Sequence, residues 1–221
     1  MCLQLGAIGF ALKFIFQQSS PLWTAALVLV MLLVAGREAI ARQKHRFLGV
    51  WSYAVGGGAL TIASLSVATF ALVAVIGPDP WYVPRYVLPI LGMILGNTMT
   101  AVALGLDTLM VTARRERRSI EARLAQGETW RVASRQLMND ALRTAMMPMV
   151  NAMAASGIVS LPGMMTGQIL AGVDPVEAVK YQIVIMFLIA GATAFGGLMA
   201  VLWATRLLTD KRERLRLDRV R

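Results

Sequence analysis

Residues 83–112 read VPRYVLPILGMILGNTMTAVALGLDTLMVT, with Arg85 and Asp107 as the only charges. A helix needs about 20 apolar residues to cross the hydrocarbon of a bilayer. Backbone N–H and C=O groups find no water there, so a stretch of this kind is read as a helix. Strict alternation of apolar and polar residues, the mark of a spanning barrel, is missing. The same pattern recurs outward in both directions, at 3–16, 21–36, 48–76, 145–173 and 181–208. The expectation is an all-α polytopic transmembrane helical bundle of about six spans. It forms one transmembrane domain over 1–221, with a cytoplasmic segment at 113–147 and a basic cytoplasmic tail at 209–221.

Composition agrees. Of the 221 residues, 57% are apolar and 15% charged, against about 45–50% and about 25% in a soluble domain. The positive charge is concentrated after every second run. Arg37, Arg42, Lys44 and Arg46 follow the second, Arg114 to Arg143 the fourth, and Arg206 to Arg221 the sixth. Connections such as 17–20, 77–82 and 174–177 carry no Lys or Arg. The positive-inside rule then puts the basic loops and the C-terminus in the cytoplasm of a multi-pass inner (plasma) membrane protein. Trp81, Tyr82 and Tyr86 sit where an outer aromatic belt belongs. The net charge of +10 follows from this topology and from contact with anionic lipid, so the bilayer is a partner and nucleic acid is not. Leucine–arginine alternation in 211–221 suits a membrane-surface helix. Lys13 in the first run can snorkel to the interface, and that run lacks the basic start and cleavage site of a signal peptide.

Several chemistries have no residues to carry them. Cys2 is the only cysteine and His45 the only histidine, so no disulfide framework, histidine cage or triad forms. No G-x-x-x-x-G-K-[ST] loop occurs, so the chain has no Walker site for ATP. Gly56-Gly57-Gly58 falls inside a run and reads as close packing or a kink.

The one long polar stretch, 113–147, reads as helix, break, helix, with Gly127 at the break. After it, Trp130, Ala133, Leu137, Met138 and Ala141 make an apolar stripe at three- and four-residue spacing. The segment is either a docking element for a soluble partner or an amphipathic linker on the bilayer surface.

Glu121-Ala122-Arg123-Leu124-Ala125-Gln126-Gly127, with Leu137 ten residues beyond, resembles the E-A-A-x-x-x-G signature of ABC transporter permeases. Arg123 stands where alanine is usual, and Asn139-Asp140 replace a terminal Leu-Pro. A longer resemblance runs through Gly157-Ile158-Val159-Ser160-Leu161-Pro162-Gly163-Met164-Met165-Thr166-Gly167-Gln168, and through Pro89 to Met99. These stretches are similar to FetB-type permeases, a bacterial iron-export family with plant relatives linked to aluminium tolerance. The resemblance implies a permease subunit that exports iron or another metal ion and is not itself an enzyme. It binds no cofactor. ATP and Mg are handled by a separate ABC ATPase, FetA-like, and two permease chains form a homodimer. Glu121, Ala122, Gly127, Glu128, Trp130 and Leu137 then couple the chain to the ATPase. Family members carry a further span upstream, which implies that 3–16 is the interior of an interrupted span. The alternative is an ATP-independent secondary transporter or channel for a metal or small solute.

Polar groups inside spans are the candidates for a transport path. Asp107 either meets a cation at the inner mouth, or pairs with Arg114 or caps the cytoplasmic helix. Asn97 either hydrogen-bonds between helices or lines the path. Pro162-Gly163 breaks the fifth run at membrane depth. Ser160, Pro162, Met164, Met165 and Gln168 around it either contact a passing cation or belong to a hinge or dimer seam. Met164, Met165 and Asp107 are the candidate metal contacts, thioethers suiting soft ions and oxygens hard ones.

Overall fold

A computed structural model describes Gly6, Gly9, 21–43, Phe47, 50–210 and 212–219. The first predicted span (3–16, with Lys13) apart from Gly6 and Gly9, and Cys2, Lys44, His45 and Arg46, lie outside the described residues. Four helices are long and apolar enough to cross a membrane: α1 (Pro21–Ala41), α2 (Tyr53–Ile76), α3 (Pro84–Arg115) and α8 (Pro175–Leu207). Between α3 and α8 come α4 (Arg117–Ala125), α5 (Trp130–Ala133), α6 (Arg135–Ala155) and α7 (Gly163–Leu170). Among the described residues there is no β-strand, and the helical membrane bundle expected from the sequence is what forms.

The stretch 83–112 becomes the central helix. α3 packs against α1, α2, α6 and α8. Val83 ends the preceding loop in an extended conformation and Pro84 starts the helix, where the missing N–H costs nothing. Leu91, Ile94, Leu95, Thr98, Val102, Leu106 and Leu109 recur on its buried side.

Small residues bring the helices close, as packing without a hydrophobic driving force in lipid demands. A Cβ on Gly105 would lie 3.2 Å from both Ala145 Cβ and Val201 Cγ2. A Cβ on Gly196 would overlap Thr98 Cγ2 and stand 3.3 Å from Ala63 Cβ. The run Gly56–Gly58 meets its neighbours at ordinary van der Waals distance: a Cβ on Gly36 would stand 3.7 Å from Gly57 Cα at the α1–α2 crossing, and one on Gly56 3.5 Å from Leu106 Cδ1. Tyr53–Gly57 and Ala71–Ile76, the two ends of α2, are π-helical turns.

Apolar residues divide into two clusters. One, at the far end, contains Leu72, Leu91, Met149, Ile185 and Ile189. The other, at the end carrying α4 and α5, contains Leu106, Leu109, Met110, Ile120, Trp130, Leu137, Val201 and Leu208.

The fifth predicted run, 145–173, is two helices rather than one. α6 starts in the polar segment, continues through Pro148 and stops at Ala155. Ser156 turns extended and Gly157 takes φ +83°. The break therefore opens at Gly157, and Pro162 serves as the cap that starts α7. Proline at that point begins a helix instead of interrupting one. Beyond the far-end cluster α6 continues for about 9 Å past Met149, and α8 for about 15 Å past Ile185, at the helical rise. The helix that follows the break, α7, packs on α8.

The tail is not the surface helix expected for 211–221. Among the described residues, the chain after α8 folds back in a tight turn, with Thr209 bridged to Leu215. Arg216 N–H donates to Leu208 O (2.8 Å). Leucine–arginine alternation places Leu215 and Leu217 against the cluster around Trp130, an intramolecular use of the apolar side that periodicity alone does not separate from lipid contact.

Candidate functional site

The polar segment forms an elbow between α3 and α6. Glu116 leaves helical geometry with φ −97° and ψ 12°, so α4 departs from the end of α3. Gly127 ends α4 at φ +91°. Gly127 N–H donates to Leu124 O (3.1 Å) and Glu128 N–H to Arg123 O (3.2 Å). This pair of bonds is the Schellman closure, which calls for a left-handed residue and so favours glycine. The same closure recurs at Gly172, where Gly172 and Val173 donate to Ile169 O and Gln168 O, both at 3.0 Å.

The predicted coupling residues divide into two groups, with Glu128 half-buried between them. Glu121, Ala122 and Gly127 are exposed on the outer side of the elbow. Glu121 accepts from Arg117 Nε across one helical turn (2.8 Å). Trp130 and Leu137 point the other way, into the protein, with only 6% and 1% of their surface exposed. Ala133 and Ala141 are buried beside them and Met138 packs on the same cluster. The apolar stripe is thus spent on the chain's own core and is not offered to a bilayer surface. What remains outside is a charged and small-residue ridge on a fixed base.

Trp130 is held by two polar contacts from distant sequence. Its indole Nε1–H donates to Thr205 O near the end of α8 (3.2 Å), and Thr205 Oγ1–H itself donates to Val201 O (2.7 Å). Its backbone N–H, an unpaired donor at the start of α5, is capped by Glu213 Oε2 from the tail (2.9 Å). Glu213 has φ +54°, a left-handed conformation that costs a non-glycine residue about 1–2 kcal/mol. Arg123 closes the elbow from inside. Its Nε donates to Glu128 Oε2 (2.8 Å), and its Nη1 and Nη2 to Ala133 O and Val132 O, both at 3.4 Å. Asp210 organises the tail turn. It accepts from the N–H groups of Arg212 (2.9 Å) and Arg214 (3.0 Å). The Arg214 backbone bond, helped by that of Arg212 and by the Arg214 and Arg216 charges, holds its carboxyl below the ordinary 3.8 despite desolvation.

Sequence reading missed Glu213 and Thr205, because their partner Trp130 lies 83 and 75 residues away; Asp210 was missed although its partners Arg212 and Arg214 are two and four residues on. Arg123 stood out only as a departure from a motif. The structure makes it the clasp of the elbow.

The candidate path residues lie on two elements. On α3, Asn97 is exposed and donates to Met93 O within its own helix (2.9 Å), and Asp107 is half-buried and engaged in a polar interaction. On the break and α7, Ser160 is exposed, and its carbonyl accepts from Gly157 N–H (2.9 Å). Pro162 O accepts from Thr166 N–H and Oγ1–H. Met164 borders the far-end cluster. Met165 is half-buried, and Gln168 turns a buried amide oxygen inward with no hydrogen-bond donor on it. Among the described residues no three His, Cys, Asp or Glu side chains gather to hold a metal ion.

The family model for UPF0014, an uncharacterised protein family, matches residues 1–208. The chain belongs to the UPF0014 family. It is 41% identical over 192 residues to UPF0014 membrane protein slr1647 of Synechocystis, covering 85% of this chain and 71% of that one. It is 33% identical over 216 residues to the "Probable iron export permease protein FetB" of Escherichia coli, covering 96% and 80%. It is 37% identical over 190 residues to the protein ALUMINUM SENSITIVE 3 of Arabidopsis, covering 86% and 67%. No solved structure matches. The resemblance read from Leu161 to Met165 therefore holds at family level, and this UPF0014 chain is a membrane protein of several apolar helices.

Proposed function

We propose that this chain is the membrane-spanning permease subunit of an ATP-driven transporter, and that its elbow is where a separate ABC ATPase docks. The observation that carries the reading is the arrangement of the elbow. Glu121, Ala122 and Gly127 are exposed while Trp130 and Leu137 are buried in the core shared by α3, α6 and α8. A push on the exposed ridge therefore reaches three long helices without first being absorbed by a loose linker. Conformational work needs such a stiff connection, because ATP acts on the path only through the relative stability of two states of the bundle.

A second copy of the chain completes the membrane unit. Ile158 and Val159 in the break are 88% and 81% exposed. Irregular backbone facing lipid leaves polar groups unsatisfied, which protein or a water-filled path must cover. A homodimer supplies both. By analogy with the named FetB relative, the cargo is iron or another metal ion moving outward, with the elbow and C-terminus in the cytoplasm of the inner membrane. ATP and Mg stay on the ATPase.

The test is co-purification with ABC ATPase subunits of the same organism, followed by ATPase rate with and without the permease. Wild type should recruit and stimulate one, and Gly127→Arg should not. Recruitment of none would refute the reading. Cellular iron unchanged on deletion of the gene would redirect the cargo to another solute.

A further inference from the structure

We infer that the C-terminal segment is a strap that sets the elbow's position, with Glu213 as the positioning residue that clamps Trp130. The bearing of this on coupling rests on the proposed permease role; the clamp itself does not.

Three observations converge. Trp130 is gripped from two sides by the C-terminal part of the chain, its indole by Thr205 O and its backbone N–H by Glu213 Oε2. No residue of the elbow itself provides that second contact. The side chain of Thr129, at the position where a cap is expected, makes no capping hydrogen bond. The start of α5 thus depends on a carboxylate brought from the tail, a charge-assisted bond to an otherwise unpaired helix donor. Next, the tail is built to deliver that carboxylate. Asp210 accepts from Arg212 and Arg214 N–H, Glu213 N–H donates to Asp210 O (3.0 Å), and Arg216 N–H donates to Leu208 O. Leu215 and Leu217 pin the turn to the same cluster that holds Trp130. Finally, Glu213 occupies left-handed backbone. Glycine would fit there without strain, but it has no carboxylate to cap with.

The strap links the end of α8 to the start of α5. Any shift of α8 along its axis moves Thr205 and the turn at Asp210 together. Trp130 and the ridge above it must follow.

The experiment uses the full chain in lipid nanodiscs, with Trp23, Trp51, Trp81 and Trp203 replaced by Phe so that Trp130 alone reports. Glu213→Ala should shift its emission to the red and raise its iodide quenching. Loss of one charge-assisted bond should raise the released population about tenfold. Glu213→Gln keeps an acceptor oxygen and should restore most of the wild-type signal. Amide exchange over 129–134 in the chain with all tryptophans retained should give the same order. Glu213→Ala at the wild-type level, or Glu213→Gln as exposed as Glu213→Ala, overturns the clamp. With an ABC ATPase added, Glu213→Ala should lower stimulation and Glu213→Gln keep it. Unchanged stimulation with Trp130 released overturns the role in coupling. A wild-type chain that recruits no ATPase refutes the permease role and leaves the clamp standing on the Trp130 signal.

Discussion

The crossing of α2, α3 and α8 at Gly196 offers a quantitative test of the bundle. Alanine at 196 would place its Cβ on top of Thr98 Cγ2 and 3.3 Å from Ala63 Cβ. Thr98 is fully buried and β-branched, so its χ1 has little freedom inside a helix. Overpacking of this kind costs about 1–3 kcal/mol. The gain in helix propensity from Gly to Ala, about 1 kcal/mol in water, works against it. The single variant should therefore be destabilised by a net of about 1 kcal/mol, too little to argue from alone. A double-mutant cycle removes the propensity term. Thr98→Ser deletes the clashing methyl and costs about 0.8 kcal/mol by itself. In the double variant the new Cβ fills the space the methyl left. The interaction energy should come out favourable by about 1–2 kcal/mol, since the propensity gain is common to both backgrounds. The assay is reversible unfolding in mixed micelles, followed by the fluorescence of the native tryptophans. Strict additivity of the two substitutions would refute the packing at Gly196, and with it the placement of α8 against α3.

Three further outcomes follow from the site. Trp130→Ala should cost about 3–5 kcal/mol, the range for deleting a buried large aromatic, and should loosen the backbone at the already exposed Arg131 and Arg135 so that trypsin cleaves there faster; an unchanged digestion pattern would argue against the buried anchor. Asp210 has its carboxyl pKa lowered on folding, first by the Arg214 backbone N–H. Its contribution is thus present above the ordinary carboxylate value and is lost as pH falls through the lowered one. Amide exchange over 208–216, corrected for intrinsic rate, should accelerate only below the ordinary 3.8, and Asp210→Asn should remove that step. Asp174 accepts from Val176 N–H (2.9 Å) and Glu177 N–H (3.3 Å) at the start of α8, so Asp174→Ala should cost about 1 kcal/mol, whereas Asp174→Asn should cost less.

The long helices were legible because lipid imposes one requirement, a run of apolar residues with every backbone group bonded inside it. That requirement is local, and 83–112 meets it in plain view. The glycine at the elbow was legible for a similar reason, since a left-handed helix end favours one residue type. The stripe Trp130–Ala141 was visible as a stripe, but its destination was not. Bilayer, partner and own core all accept the same periodicity, and only the packing of Leu109, Val201 and Leu208 beside it selects the last. The break in the fifth run was drawn to Pro162-Gly163 because proline is the stronger signal. The chain departs earlier, at Ser156-Gly157, and uses the proline to restart. Glu213 was invisible because its partner is set by how the end of α8 meets the elbow, a tertiary fact with no local sequence mark.

The central claim is that the exposed side of the elbow is an ATPase-docking surface. Photo-crosslinking residues placed singly at Ala122, at Ala125 and, as the control, at Val159 on the break test it most directly in membranes holding the ABC ATPase. The account predicts a crosslink to the ATPase from Ala122 and Ala125 and none from Val159. Crosslinks from neither elbow position, or equally from all three, would contradict it.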